Sequence, residues 1–233
     1  MIEKLKSNVA SVRERIAAAA ERSGRSANDV TLVAVTKYVD SAVTELLFEA
    51  GCHDLGEGRP QVLWEKADVI KQAGLRWHLV GHLQRNKVVR TVPTTSLVHS
   101  VDSNRLLNSI NSVGADLDRP INVLLEANIS GDEAKHGYDE AGLADALQYA
   151  SSLKFVQVSG LMGMAGLGID ESETRSQFGR LRELRDQHAD QAASNIDLKE
   201  LSMGMSGDFE IAIEEGATIV RVGSVLLDGV LPS

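Results

Sequence analysis

The sequence predicts an α/β protein that folds as a single (β/α)8 TIM barrel. Eight short apolar runs alternate with helical patterns, and strict alternation calls for parallel strands joined by helical crossovers. The 233 residues also suit one such barrel, which typically takes about 250. An open doubly wound sheet is the alternative, but it normally shows G-x-G-x-x-G after its first strand. Here that strand is followed by TKYVDS, so we expect one barrel domain over residues 1–233.

Each unit of the barrel starts with an apolar run short enough to be a buried strand. Before the first unit, apolar residues from Ile2 to Ile16 recur at spacings of three and four, which predicts an extra N-terminal helix over residues 3–22. The predicted strands cover residues 31–36, 53–56, 77–80, 96–100, 121–128, 155–161, 200–203 and 218–222. The predicted helices between them cover residues 41–50, 59–73, 85–90, 103–112, 139–150, 173–188 and 207–215.

Composition limits the partners and the compartment of the protein. Hydrophobic residues make up 43% of the chain and charged residues 24%, with a net charge of −9, which argues against a broad nucleic-acid or anionic-membrane surface. The first residues, MIEKLKSNVASVRERI, are charged and amphipathic, unlike a signal peptide. The only cysteine, Cys52, is expected to be a small buried hydrophobe. We expect a cytoplasmic monomer without nucleic-acid or membrane partners.

Lys37 closes the first predicted strand, directly after an apolar run. In a barrel, the C-terminal ends of the strands form the rim that carries the active site. A partly desolvated amine at this rim favours its neutral form, which is the form that attacks an aldehyde to give a Schiff base. The alternative is a strand-end lysine whose amine simply reaches water.

The loops after the last two strands predict a phosphate site on the same rim. Ser206 is placed to cap a helix from about Gly207 to Glu215, and the N–H groups at a helix N-terminus attract anions. Gly223 and Ser224 follow the eighth strand, and barrels commonly bind phosphate after strands seven and eight. Because strands one and eight are neighbours in a closed barrel, Lys37 should lie beside these loops.

Arg221 lies inside the eighth predicted strand, between two valines. It could be a buried arginine paired with a carboxylate such as Glu210 or Glu57. Alternatively, its guanidinium faces the ring nitrogen of a bound pyridine cofactor. A permanent cation there would oppose protonation of the ring and weaken it as an electron sink.

Several segments together resemble the pyridoxal phosphate homeostasis proteins, a family of single-domain barrels related to the N-terminal barrel domain of alanine racemase. The resemblance runs from about residue 4 to residue 229. Its carriers are VAVTKYVD (33–40), LGEGRPQ (55–61), RWHLVGHLQRNKV (76–88), VHSVDS (98–103), ANISGDEAKHG (127–137), SGLMGMA (159–165) and ELSMGMSGDFEIAIEEGATIVRVGSVLLDG (200–229).

The resemblance implies that this protein holds pyridoxal 5′-phosphate (PLP) as a Schiff base on Lys37. It further implies a phosphate held by Ser206, Gly223 and Ser224, with backbone help from Met205, and a pyridine nitrogen that meets Arg221. The family is regarded as buffering or delivering PLP, with PLP-requiring apoenzymes as possible recipients. Two positions depart from the usual pattern: Gly58 replaces an asparagine, and Val62 replaces an acidic residue.

Other candidates are weaker. His78 and His82 are four residues apart, but they have no nearby cysteine or third histidine, so we expect no metal site. The locally basic stretch over residues 76–90 is explained by a solvated helix face, with a phosphate-bearing ligand or partner as the alternative. In the loop at residues 135–137 (Lys-His-Gly), the glycine is expected to supply a turn with positive φ, and contact with a ligand at the rim is the alternative.

Two functions from different classes remain open. One is a non-catalytic protein that stores and delivers PLP; the other is a PLP-dependent amino-acid racemase. Racemases of this fold use a tyrosine opposite the lysine and a second domain, whereas Tyr38, Tyr138 and Tyr149 all lie within the predicted barrel. Without a second proton donor, racemisation lacks half of its acid–base pair, so we expect the carrier and no catalytic residues.

Overall fold

The computed structural model describes residues 1–132, 136–190 and 193–230. Eight parallel strands close into a barrel in chain order, with β8 paired to β1. The strands are β1 (Thr31–Val35), β2 (Asp54–Glu57), β3 (Arg76–Leu79), β4 (Leu97–Val101), β5 (Ile121–Glu126), β6 (Val156–Met162), β7 (Ile196–Ser202) and β8 (Ile219–Val222). The helices are α1 (Ile2–Arg22), α2 (Ser41–Glu49), α3 (Pro60–Val69), α4 (Val88–Thr91), α5 (Asn104–Asp116), α6 (Glu140–Ser151), α7 (Glu171–His188) and α8 (Phe209–Glu214). The predicted barrel and its extra N-terminal helix are confirmed.

Several boundaries differ from the prediction by more than one residue; α3 ends at Val69 rather than at residue 73, and α5 extends to Asp116 rather than to residue 112. Three other differences concern β7, the segment after β3 and α8. Strand β7 begins at Ile196 rather than at residue 200. The prediction missed this start because exposed Asp197 and Lys199 alternate with buried neighbours, so the sequence shows no continuous apolar run there. The segment predicted as a helix over residues 85–90 is a 3-10 turn (Arg85–Lys87) followed by the short α4. Helix α8 begins at Phe209, two residues later than expected.

Local signals and long-range packing together place the helices around the barrel. Three helices begin at an aspartate whose carboxylate accepts a hydrogen bond from the backbone, at Asp40, Asp139 and Asp170, as expected for N-caps. The main apolar core lies between strands and helices. A smaller apolar layer fills the barrel interior, and its members are Val33, Leu97, Leu124, Met162 and Ile219. No helix of the described part of the chain could span a bilayer.

Candidate cofactor site

A cavity of about 590 Å3 opens at the C-terminal ends of the strands. Its size falls within the range of pockets that hold small molecules and cofactors. The six residues that the sequence predicts for the cofactor all line it, namely Lys37, Met205, Ser206, Arg221, Gly223 and Ser224. The closed barrel therefore brings the lysine after β1 and the loops after β7 and β8 to one place.

Lys37 lies two residues beyond the end of β1, and its side chain is exposed. The sequence predicts a partly desolvated amine, and the structure differs, because the chain leaves the barrel before this residue. Its Nζ atom lies 4.8 Å from the centre of the Tyr38 ring, which also lines the cavity. The aromatic face gives the ammonium a weakly favourable contact at an exposed site.

A buried ion pair supports the backbone just before Lys37. The Glu57 carboxylate accepts hydrogen bonds from Lys66 and from the Thr36 hydroxyl, and Lys66 Nζ also donates to the Thr36 carbonyl at 2.8 Å. Lys66 and Glu57 are 3% and 0% exposed, so breaking the pair would leave a charge buried. The other Glu57 oxygen, Oε2, accepts no hydrogen bond from the described residues.

The loop after β7 is organised differently from the prediction. The structure shows Asp208, not Ser206, at the N-cap of α8. The Asp208 carboxylate accepts from the Met205 N–H at 2.6 Å, and the Ser206 hydroxyl accepts from the Gly223 N–H at 3.1 Å. The predicted cap is therefore wrong, because the turn folds back on itself and Ser206 reaches across to β8. This contact places Ser206 and Gly223 side by side at the cavity.

Arg221 is 4% exposed, and its guanidinium is held by neighbouring strands rather than by a carboxylate. Nη1 donates to the Ser202 carbonyl at 2.8 Å and to the Ser202 hydroxyl at 2.6 Å, and Nη2 donates to the Gly163 carbonyl at 3.2 Å. The proposed ion-pair partners are wrong, since Glu210 pairs with Arg15 and Glu57 with Lys66.

Burial dominates the electrostatics of the arginine. It lowers the pKa of Arg221 to about 10, while the carboxylates of Glu126 and Asp208 act in the opposite direction. The guanidinium has five N–H donors, and its contacts with described residues leave the Nε–H and one Nη2–H for a ligand.

A chain of hydrogen bonds leads from Arg221 through the barrel interior. Ser202 Oγ lies 2.8 Å from His99 Nδ1, and His99 Nε2 lies 2.9 Å from His78 Nδ1. His78 Nε2 lies 3.0 Å from the Asp54 carboxylate. Burial raises the pKa of Asp54, but hydrogen bonds from His78 and Arg76 outweigh this effect and lower the pKa to about 2. Asp54 is therefore an ionised acceptor at the far end of the chain.

One assignment of protons gives every hydrogen bond in this chain a donor and an acceptor. His78 donates to Asp54 and accepts from His99, and His99 accepts from the Ser202 hydroxyl. The Ser202 oxygen in turn accepts from Arg221. Burial, with His78 and Arg221 nearby, holds the pKa of His99 well below its usual value, which agrees with a neutral ring. Arg221 is thus fixed by a network that runs from Asp54 on β2 through His78 on β3 and His99 on β4.

Glu126, at the end of β5, lines the cavity and was missed in the sequence. It is 5% exposed. Burial raises the pKa of its carboxyl group, and the charge of Asp102 adds to this effect, while His136 and Arg221 oppose it. The available signal was a carboxylate at the end of an apolar strand, where barrels place functional groups.

The other sequence candidates lie elsewhere or have ordinary roles. His78 belongs to the interior chain and His82 to the cavity, so the two do not form a site together. Cys52 is 1% exposed, and burial raises the pKa of its thiol to about 11, which confirms a buried residue. In the basic stretch, Arg76 pairs with Asp54 and Arg90 with Asp68. Of the loop at 135–137, the first residue lies outside the described residues.

Gly58 lies next to Lys37 and has space for a side chain. An added Cβ would have only the Lys37 Cβ and Cδ atoms within reach, both at 4.0 Å. The neighbouring Gly81 contrasts with it, because a Cβ there would lie 2.1 Å from the Gly58 carbonyl oxygen. A Cβ at position 58 would therefore fit, whereas a Cβ at position 81 would clash with the backbone.

Comparison with known proteins first defines the class. The family described as alanine racemase, N-terminal domain, matches residues 3–229, and the chain belongs to it. The fold of an alanine racemase from Clostridium difficile is similar, with a TM-score of 0.75 at 16% identity, over 99% of this chain and 60% of that one.

Closer relatives narrow the family. The chain is 39% identical to the pyridoxal phosphate homeostasis protein of Aquifex aeolicus, over 92% of this chain and 93% of that protein. It is 33% identical to the protein of the same name from Escherichia coli, over 94% of each chain. The solved structure of PipY from Synechococcus elongatus with PLP bound has a TM-score of 0.84 and 34% identity, over 95% of this chain and 99% of that one. This chain is a member of the pyridoxal phosphate homeostasis protein family.

Proposed function

We propose that this protein binds pyridoxal 5′-phosphate on Lys37 as a Schiff base and stores or delivers it within the cell. The observation that carries the proposal is the convergence of one exposed amine, one buried guanidinium and the Ser206–Gly223 turn on a single cavity. These groups match an aldehyde, a pyridine nitrogen and a phosphate respectively. The PLP-bound relative at 34% identity supports the same ligand.

The turns after β7 and β8 suit the phosphate. The Gly223 N–H, which donates to the Ser206 hydroxyl, would donate to a phosphate oxygen instead, and the hydroxyl, which accepts in that contact, would donate its own hydrogen to the phosphate. Ser224 opens a 3-10 turn (Ser224–Leu227), whose first N–H groups have no acceptor within the turn. The Met205 N–H is engaged by Asp208, so we assign Met205 a smaller part than the other three residues.

The environment of Arg221 favours a carrier over an enzyme. A pKa of about 10 leaves the guanidinium charged at neutral pH, and a cation facing the ring nitrogen opposes protonation of that nitrogen. When bound, PLP supplies an electrophilic carbon and an electron sink; the arginine weakens the second property and leaves the first. Binding and release of PLP need only the first.

Absorption spectroscopy of the purified protein tests the proposal. The wild type should show a PLP absorption band that borohydride abolishes, and peptide mapping should place the label on Lys37. Lys37→Ala should lose the reducible adduct. Lys154→Ala is the matched control, because Lys154 Nζ lies 4.7 Å from the Phe155 ring centre, much as Lys37 lies over Tyr38. A reducible adduct that persists in Lys37→Ala would overturn the assignment.

The racemase alternative rests on Glu126, whose carboxyl group shares the cavity with Lys37 and whose pKa is raised by burial. The tyrosines offer less, since Tyr38 lies under Lys37 itself and the Tyr138 hydroxyl donates to Asn104. Incubation with L-alanine and other L-amino acids, followed by chiral analysis, separates the two functions. We expect no turnover in the wild type; turnover lost in Glu126→Gln would establish the enzyme.

The remaining parts of the proposal concern the setting of the protein. We propose a cytoplasmic monomer that hands PLP to PLP-requiring apoenzymes. Transfer is tested by mixing the PLP-loaded protein with an apoenzyme and following the gain of enzyme activity. Recovery faster than with the same concentration of free PLP supports direct delivery, and recovery at the rate set by free PLP refutes it.

A further inference from the structure

Three side chains from consecutive strand ends meet at one side of the cavity. His82 follows β3, Asp102 follows β4, and His136 lies in the segment after β5. The Nδ1 atoms of His82 and His136 lie 3.2 Å and 3.5 Å from the same carboxylate oxygen, Asp102 Oδ2. The two imidazoles stack, with ring centres 4.5 Å apart and planes inclined by 18°.

The contacts with Asp102 differ from ordinary histidine–aspartate hydrogen bonds. At comparable distances, His78 makes an aligned hydrogen bond to Asp54 at 3.0 Å. Among the described residues, Asp102 accepts no aligned hydrogen bond from either imidazole. An N–H that donates must point at its acceptor, so Asp102 holds neither ring by an aligned hydrogen bond. Because the stacked ring planes are nearly parallel, both imidazoles must turn before their lone pairs point at a shared ion.

The spacing of the three atoms suits a small divalent cation. Zinc binds imidazole nitrogen and carboxylate oxygen at about 2.0–2.2 Å, so neighbouring ligands of a tetrahedral site lie about 3.3 Å apart. The two measured contacts are close to that value, and the ligand atoms of the three residues all lie within 4.8 Å of one another. The Asp102 side chain is 12% exposed and the imidazoles are 43% and 64% exposed, so the rings have room to close the remaining edge.

We propose that His82, Asp102 and His136 form a binding site for a divalent transition-metal ion of the zinc type. Two imidazoles and one carboxylate are the ligand set of metal sites that keep a coordination position open. Here that position faces the cavity, since His82 and His136 both line it. It would take a water molecule or the carboxylate of a small molecule that enters beside Lys37. The proposal departs from the sequence-based expectation of no metal site.

The local charge favours a cation. Glu126 lines the same cavity and interacts electrostatically with both Asp102 and His136. Two carboxylates thus lie close to two imidazoles that are neutral when they act as ligands. The metal site does not depend on a covalent bond to Lys37, so failure of the metal proposal would leave the proposed cofactor role untouched, and the reverse also holds.

Cobalt and zinc titrations of tag-free, PLP-loaded protein test the proposal. After treatment with a chelator, Co2+ should bind at one ion per chain and give the visible d–d bands of a four-coordinate site, and Zn2+ should displace it. Asp102→Asn and His136→Ala should each weaken Co2+ binding by at least about 100-fold, because losing even a residue that only hydrogen-bonds to a metal ligand costs 10–100-fold. His53→Ala, which removes an exposed histidine packed on Phe48, should bind as the wild type does.

A second readout guards against misfolded variants. Zn2+ should raise the melting temperature of the wild type and of His53→Ala, but not that of Asp102→Asn or His136→Ala, all of which should keep the wild-type circular dichroism spectrum. Equal Co2+ binding by wild type and Asp102→Asn would overturn the proposal. So would the absence of a saturable cobalt spectrum in the wild type.

Discussion

Ser202 is the link between Arg221 and the histidine chain, and its replacement by alanine tests the interior network. The hydroxyl accepts from Arg221 Nη1 at 2.6 Å and donates to His99 Nδ1 at 2.8 Å. Ser202→Ala removes both bonds at once. It leaves the Arg221 contacts to the carbonyl oxygens of Ser202 and Gly163 intact, so the fold itself should persist.

The expected loss of stability in Ser202→Ala follows from the two buried groups, Arg221 and His99, that lose a hydrogen-bond partner. A hydrogen bond to a charged group contributes about 1.5–3 kcal/mol, and a buried acceptor left without a partner costs about 1–3 kcal/mol. Ser202 is 0% exposed, so water does not replace the hydroxyl. We expect the free energy of unfolding to fall by about 3–5 kcal/mol, as measured by urea denaturation followed by circular dichroism.

Ser100→Ala is the matched control. Ser100 is 1% exposed, and its hydroxyl donates a single hydrogen bond, to the Gly81 carbonyl at 2.5 Å. Its loss should cost about 1 kcal/mol. Equal losses in the two variants, or a loss below about 1 kcal/mol for Ser202→Ala, would refute the reasoning that the serine connects two buried groups.

Three further predictions concern the support of the site. Gly58→Ala should change the free energy of unfolding by less than about 1 kcal/mol, whereas Gly81→Ala should cost about 3 kcal/mol or more; equal effects would contradict the contact distances. Lys66→Ala should cost about 3–5 kcal/mol by leaving Glu57 buried and unpaired, and the double variant with Glu57→Leu should recover part of this loss in the same urea assay. Because the pKa of His99 is lowered in the folded state, the unfolded chain binds a proton that the folded chain excludes. Stability should therefore be complete above about pH 6.5 and fall by up to about 1.4 kcal/mol per pH unit below it; His99→Gln should remove this one-proton slope, and an unchanged slope would refute the assignment.

The barrel could be predicted from the sequence because the signals for its strands and helices are local and repeat eight times. Each apolar run of four to eight residues followed by a helical pattern specifies one βα unit, and eight such units admit closure. The rim position of Lys37 and Gly223 follows from their places at the ends of such runs. The start of β7 was missed since Asp197 and Lys199 face solvent, which a run of consecutive apolar residues does not reveal.

Only the tertiary structure decides which side chains meet across the barrel. Arg221 donates to Ser202 and Gly163, and the Gly223 N–H donates to Ser206, because strand register and barrel closure set these distances. Spacing along the chain encodes neither the register nor the closure. The same holds for the meeting of His82, Asp102 and His136, which lie 20 and 34 residues apart in the chain (102 − 82 and 136 − 102). A pattern along the chain determines which residues reach the rim. The closed sheet, which joins neighbours distant in sequence, determines their partners.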